Sequence, residues 1–145
     1  MMSTCFKSIA MLFALSAAAP SAWASSATFA IRAEGIKLVE GEGTAENGKD
    51  VLVFRATAPA GKAFTLTAQG IVLPRGGKPT PGEPEAGQWT FDEKLVKKLA
   101  LEKKDDKTTI SIRVEPTTAG VTRFRFIGTI LGYERTIHVL VDVQE

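Results

Sequence analysis

The chain has 145 residues and a nearly balanced charge, with 18 Lys and Arg against 16 Asp and Glu and a formal net charge of +2. So small a net charge argues against a nucleic-acid partner, because phosphate backbones are bound by one-sided basic surfaces. One cysteine and one histidine are too few for a Cys-rich or His-rich metal centre, so we expect neither a metal nor a cofactor.

Residues 1–24 are typical of a secretory signal peptide. Lys7 provides a short positive region, residues 9–19 form an apolar stretch, and a small-x-small cleavage site ends at Ala24. The apolar stretch is shorter than the roughly 20 residues that span a bilayer. We therefore expect cleavage near Ala24–Ser25, export to the periplasm or the medium, and a single mature domain over 25–145 without a transmembrane segment.

Apolar and polar residues alternate in several segments of the mature chain, and this alternation indicates half-buried β-strands. The clearest example is 109–114, where isoleucine and valine alternate with polar residues. Residues 51–56 are apolar at almost every position, which predicts a strand covered on both faces. The remaining segments with this pattern are 29–38, 64–69, 123–126 and 137–143.

The segment 92–104 does not follow the strand pattern. Leu95 and Leu99, together with Val96, can share one face of a helix, and Asp92 can cap its start. This spacing predicts a short helix near residues 92–101, directly after a segment around Trp89 that has strand character.

About seven strands joined by short turns are typical of an antiparallel β-sandwich. Residues 116–121 lead into Arg123-Phe124-Arg125-Phe126, and the closing strand covers 136–143. In these parts the chain resembles bacterial immunoglobulin-like modules. The resemblance implies an immunoglobulin-like sandwich of about seven strands, and it implies no particular activity, because this architecture carries many unrelated functions.

The residues that could perform catalysis are few. His138 lies within a strand, Ser111 lies on the outward face of another strand, and no Gly-x-Ser-x-Gly motif is present. The acidic, glycine-containing segment 40–50 could wrap a calcium ion, but its carboxylates lack EF-hand spacing, so a solvated loop is the preferred interpretation. We therefore expect a protein that is not an enzyme.

Two segments are candidates for binding. The first is the tip of the last hairpin, with Ile130, Leu131, Tyr133 and Arg135. Burial of Ile130 is the preferred alternative there, because Ile130 has the same strand parity as the apolar residues 124 and 126.

The second candidate is the Pro/Gly-rich loop at 74–87, in which Pro79, Pro81 and Pro84 could contact a partner. A mobile, solvated loop is the preferred interpretation for this segment.

These observations favour an exported, non-catalytic module of the bacterial envelope that binds another protein or an envelope component. One alternative is an inhibitor of secreted proteases that acts through loops at one end of the sandwich, although residues 132–135 do not match the Arg-Pro-Trp loop of chagasin-like inhibitors. The second alternative is a structural or accessory subunit of a surface assembly.

Overall fold

The computed structural model describes residues 24–41, 44–46 and 49–145. Apart from Ala24, the predicted signal peptide lies outside these residues, as does part of the acidic segment 40–50. The described chain contains strands and turns but no helix, and hence no helix that could cross a membrane. The strands are β1 Ala24–Glu34, β2 Val39–Glu40, β3 Thr44–Glu46, β4 Lys49–Pro59, β5 Phe64–Pro74, β6 Thr80–Pro81, β7 Ala86–Thr90, β8 Val96–Leu99, β9 Thr109–Pro116, β10 Gly120–Ile130 and β11 Tyr133–Gln144.

The strands form two sheets. Sheet one has the order β1-β5-β9-β8, with β6 beside β5, and sheet two has the order β2-β4-β11-β10-β7, with β3 beside β4. All pairs are antiparallel except β4 and β11, which run parallel. The principal strands β1, β5, β9 and β8 take the places of A, B, E and D in an immunoglobulin domain, and β11, β10 and β7 take those of G, F and C. The predicted all-β sandwich is confirmed.

The core lies between the inner faces of the sheets and is rich in aromatic side chains. The rings of Phe29 and Phe126 meet edge to face at 4.8 Å, and those of Phe64 and Phe124 at 5.7 Å. Trp89 on β7 packs 5.2 Å from Phe126 and donates an indole N–H to the carbonyl oxygen of Ile110, at 2.9 Å. Because β7 belongs to sheet two and Ile110 to sheet one, this side chain joins both layers.

Strand β4 is buried on both faces, as its sequence predicts. Ala56 and Ala58 face the main core, whereas Val51 and Val53 are buried on the opposite side of sheet two. Successive side chains of a strand point to opposite faces, so apolar residues at both parities require cover on both sides.

The predicted helix near residues 92–101 is wrong. Asp92 instead starts a tight turn: its carboxylate accepts a hydrogen bond from the Lys94 amide at 2.9 Å, and its carbonyl accepts one from the Leu95 amide at 3.0 Å. The chain then enters β8, which pairs with β9 and buries Val96. A helix this short is marginal by itself, whereas the strand satisfies the backbone groups along the edge of β9.

Candidate functional site

The Pro/Gly-rich loop does not project into solvent but folds back along sheet one. Gly76 has a φ of 72°, and the amide of Gly77 donates to the carbonyl of Pro74 at 3.2 Å, which closes a turn directly after β5. The next residues form β6, which pairs with β5, and the Gly82 amide then donates to the carbonyl of Gly70 at 2.9 Å. The loop therefore follows the strand that precedes it.

Glycine is required where this loop crosses the strand. A Cβ on Gly82 would lie 2.6 Å from Val72 Cγ2 and 3.2 Å from Ile130 Cδ1, and a Cβ on Gly70 would collide with the carbonyl oxygen of Gly82. The contacts with Ile130 show that the loop also reaches the last hairpin. Two backbones can approach this closely only where a side chain is missing.

The last hairpin turns at Leu131 and Gly132, between the paired residues Ile130 and Tyr133. Leu131 has a φ of 50° and Gly132 a φ of 79°, so both central residues have the positive φ that a type I′ turn requires. Leucine rarely adopts this conformation, and such residues are often found at functional sites. The half-buried Leu131 side chain packs against the core, which offsets part of the strain.

Glu85 connects the loop to the hairpin. Its backbone amide donates to the carbonyl of Thr129 at 2.8 Å, and its carboxylate oxygen Oε1 accepts a hydrogen bond from the amide of Gly132 at 3.3 Å. The two segments singled out in the sequence are therefore neighbours in space. We call residues 79–85 and 131–135 together the loop-end surface. No sequence signal distinguishes Glu85 from the other carboxylates of the chain.

The four candidate residues of the hairpin tip have different environments. Ile130 is fully buried, so its assignment to a binding tip is corrected: its strand parity places it on the core face with Phe124 and Phe126. Leu131 is half-buried, and the side chain of Tyr133 is 39% exposed.

Arg135 is half-buried and holds the tip in place. Its Nε donates to the carbonyl oxygen of Ala27 at 3.0 Å, which ties β11 to β1. Its guanidinium carbon lies 5.0 Å from the centre of the Tyr133 ring, within the range of a cation–π contact. Arg135 therefore positions Tyr133, which presents the larger exposed surface.

The prolines complete the loop-end surface. Pro79 and Pro81 are exposed, and Pro84 is half-buried. The exposed carboxylates of Glu83 and Glu85 lie in the same segment. The surface thus combines rigid apolar groups with acidic ones, which suits recognition of another molecule.

The loop between β8 and β9 is held by two adjacent carboxylates. Asp105 accepts a hydrogen bond from the Ser111 amide at 3.0 Å, and Asp106 accepts bonds from the amide and hydroxyl of Thr108, at 2.7 and 2.8 Å, and from the hydroxyl of Thr109. The hydrogen bonds from Thr108 and Thr109 hold the pKa of Asp106 below its usual value.

The residues considered for catalysis lie far apart in the fold. His138 is only 7% exposed, whereas its sequence suggests a half-exposed strand position. It belongs to sheet two, while Ser111 belongs to the outer face of sheet one, where its hydroxyl lies 2.8 Å from that of Thr67. These side chains do not form a nucleophile–base pair. Within the described ranges, no three His, Cys, Asp or Glu side chains are grouped so that they could hold a metal ion.

Comparison with known proteins gives no match, either among protein-family models or among curated proteins.

Proposed function

We propose that this protein is a non-catalytic binding module that recognises another protein or an envelope component through the loop-end surface. The observation that carries the proposal is the pair of Glu85 hydrogen bonds, which join the Pro-rich loop to the hairpin tip. In immunoglobulin domains the loops at the positions of β5–β7 and β10–β11 lie at one end of the sandwich and supply recognition residues.

The loop-end surface is suited to binding because its parts are held before a partner arrives. Proline has a restricted backbone, and tyrosine offers a large contact area with few rotatable bonds. Pro79, Pro81 and Tyr133 therefore lose little conformational entropy when a partner covers them, and a preordered surface binds more tightly for the same contact area.

We also propose that the module acts outside the cytoplasm, in the periplasm or the medium. The support is the leader-like composition of residues 1–24, with its positive charge, its short apolar stretch and its small-x-small site. Edman sequencing of the exported protein tests this proposal, and a mature N-terminus at Ser25 is the expected result.

Inhibition of a secreted protease is the second candidate function. It is supported by the same contact between the Pro-rich loop and the hairpin tip, because an inhibitor of this kind must insert neighbouring loops into one active-site cleft. A panel of cysteine and serine proteases tests it, and inhibition that is lost in Tyr133→Ala would favour it over a general binding role.

Site-specific photocrosslinking tests the proposed function. A photoreactive phenylalanine analogue at position 133 is expected to form a crosslinked product in the native envelope. The same analogue at Lys62, an exposed position in the turn at the opposite end of the sandwich, is the control. A product at position 62 but not at position 133, or no product at either, would contradict the proposal.

A further inference from the structure

The outer face of sheet two carries a cluster of arginines. Leu140 on β11 pairs with Arg55 on one side and with Arg123 on the other. Because neighbouring strands lie about 4.8 Å apart, the Cα atoms of these arginines are separated by roughly 10 Å. Arg125 follows two residues after Arg123 and therefore lies on the same face. Three guanidinium groups thus emerge from adjacent positions of one layer.

Exposed apolar side chains lie beside these cations. Val121 is 66% exposed and Val39 59% exposed, both unusually high for valine in a strand of a packed sheet. Grooves of about 510 and 430 Å³ lie on the two sides of Val121, the first lined by Val39, Arg55 and Leu140 and the second by Arg123 and Arg125. We call this region, from Lys37 and Val39 across Arg55, Leu140 and Val121 to Arg123 and Arg125, the arginine face.

Two arginines of the arginine face, Arg55 and Arg123, have no charge partner among the described residues. Across the part of the chain that the structure describes, neither Arg55 nor Arg123 forms an ion pair or a side-chain hydrogen bond. The groove beside Leu140 is lined by the cationic side chains of Lys37 and Arg55 and by one carboxylate, that of Asp142.

We propose that the arginine face is a second interaction surface, which binds a polypeptide segment whose carboxylates alternate with apolar side chains. Guanidinium groups pair with carboxylates through two parallel hydrogen bonds, and arginine is enriched in protein interfaces. The grooves beside Val121 accept the apolar side chains of the partner.

An anionic membrane fits this face less well than an acidic polypeptide does. The valine side chains are much shorter than the arginines around them, so they do not reach the hydrocarbon layer while the guanidinium groups remain among the headgroups. Concave grooves also receive side chains from a partner, whereas insertion into lipid needs groups that protrude.

Binding of a fluorescent peptide built from Glu and Leu, measured by anisotropy at about 50 mM salt, tests the proposal. The double variant Arg55→Glu/Arg123→Glu is expected to bind the peptide at least about tenfold more weakly than the unchanged protein. The control is Arg32→Glu/Lys62→Glu, which has the same net charge but lies outside the arginine face. It is expected to bind within about twofold of the unchanged protein.

Three results would overturn the proposal. They are an equal loss of affinity in both double variants, no binding of the peptide by the unchanged protein, and binding to vesicles of phosphatidylglycerol and phosphatidylcholine in place of the peptide. Thermal unfolding of each variant shows whether the fold is retained. Tyr133→Ala is expected to leave peptide binding unchanged, so failure of this proposal is distinguishable from failure of the proposal for the loop-end surface.

Discussion

The two outer faces of the sandwich follow the same alternating pattern but differ in whether their exposed arginines have partners. On sheet one, Arg32 donates to Gln69 at 2.7 Å, Arg113 pairs with Glu102 at 3.4 Å, and the hydroxyls of Thr67 and Ser111 lie 2.8 Å apart. On sheet two, Arg55 and Arg123 make no such contact within the described chain, and the apolar side chains of Val39 and Val121 are exposed beside them. The paired polar groups on the outer face of sheet one leave few sites for a partner molecule. The guanidinium groups of Arg55 and Arg123 are available to bind a partner's carboxylates.

Both outer faces are built on one packed core, in which Trp89 links the two sheets. Trp89→Ala removes the ring that packs on Phe126 and the hydrogen bond to Ile110, so we expect a loss of about 3–5 kcal/mol in the free energy of unfolding. Trp89→Phe is the matched control and is expected to lose clearly less, because an aromatic ring is retained. Urea unfolding measures both variants. A loss below about 1 kcal/mol for Trp89→Ala would show that the sheets do not depend on this link.

Two threonines allow a hydroxyl that has a hydrogen-bond partner to be compared with a buried hydroxyl that has none among the described residues. Thr67→Val is expected to destabilise the protein by about 1 kcal/mol, because the hydroxyl of Ser111 loses its partner on the outer face of sheet one. Thr122→Val is expected to stabilise it by a similar amount, because the buried Thr122 hydroxyl has no hydrogen-bond partner among the described residues. The measurement is the urea midpoint of each variant. If both substitutions changed the free energy of unfolding in the same direction, the distinction between the paired and the unpaired hydroxyl would be contradicted.

The smallest expected effect is a pH dependence of the structure around Asp106, in the loop between β8 and β9 of sheet one. The pKa of Asp106 is lowered in the folded state, so its hydrogen bonds favour folding above the pKa of the unfolded chain and are lost as the pH falls through the folded-state value. Amide NMR signals of Thr108 and Thr109 are expected to shift with a midpoint below the usual value for aspartate. Signals of β10 serve as the reference, and Asp106→Asn is expected to abolish the transition. A midpoint at or above the usual value would be inconsistent with this assignment.

Most of the architecture could be predicted from sequence because alternation is a local property. The strands over 109–116 and 120–130 follow directly from residues such as Ile112, Val114 and Phe124, each of which is buried. The segment 92–101 could not be resolved in this way. Its few apolar residues suit a short helix as well as a strand. The segment forms a strand because it pairs with the otherwise free edge of β9.

The candidate sites were less predictable than the fold. Sequence reasoning identified the Pro-rich loop and the hairpin tip separately, but the contact that joins them is made by Glu85 with Thr129 and Gly132, far away along the chain. The arginine face was missed altogether, since Arg55 and Arg123 become neighbours only across Leu140. The alternation of arginine and phenylalanine at 123–126 was the available signal, and it showed that arginines face outward without showing what lies beside them.

Alternating polarity was sufficient to establish a two-layer β protein, because each residue's side of a strand depends only on its immediate neighbours. Long-range pairing was needed to convert the expected helix into β8 and to bring Glu85 to the last hairpin. These outcomes depend on which strand edges remain free and which backbones approach closely. Free strand edges and close backbone approaches are set by the whole fold and cannot be read from a short stretch of residues.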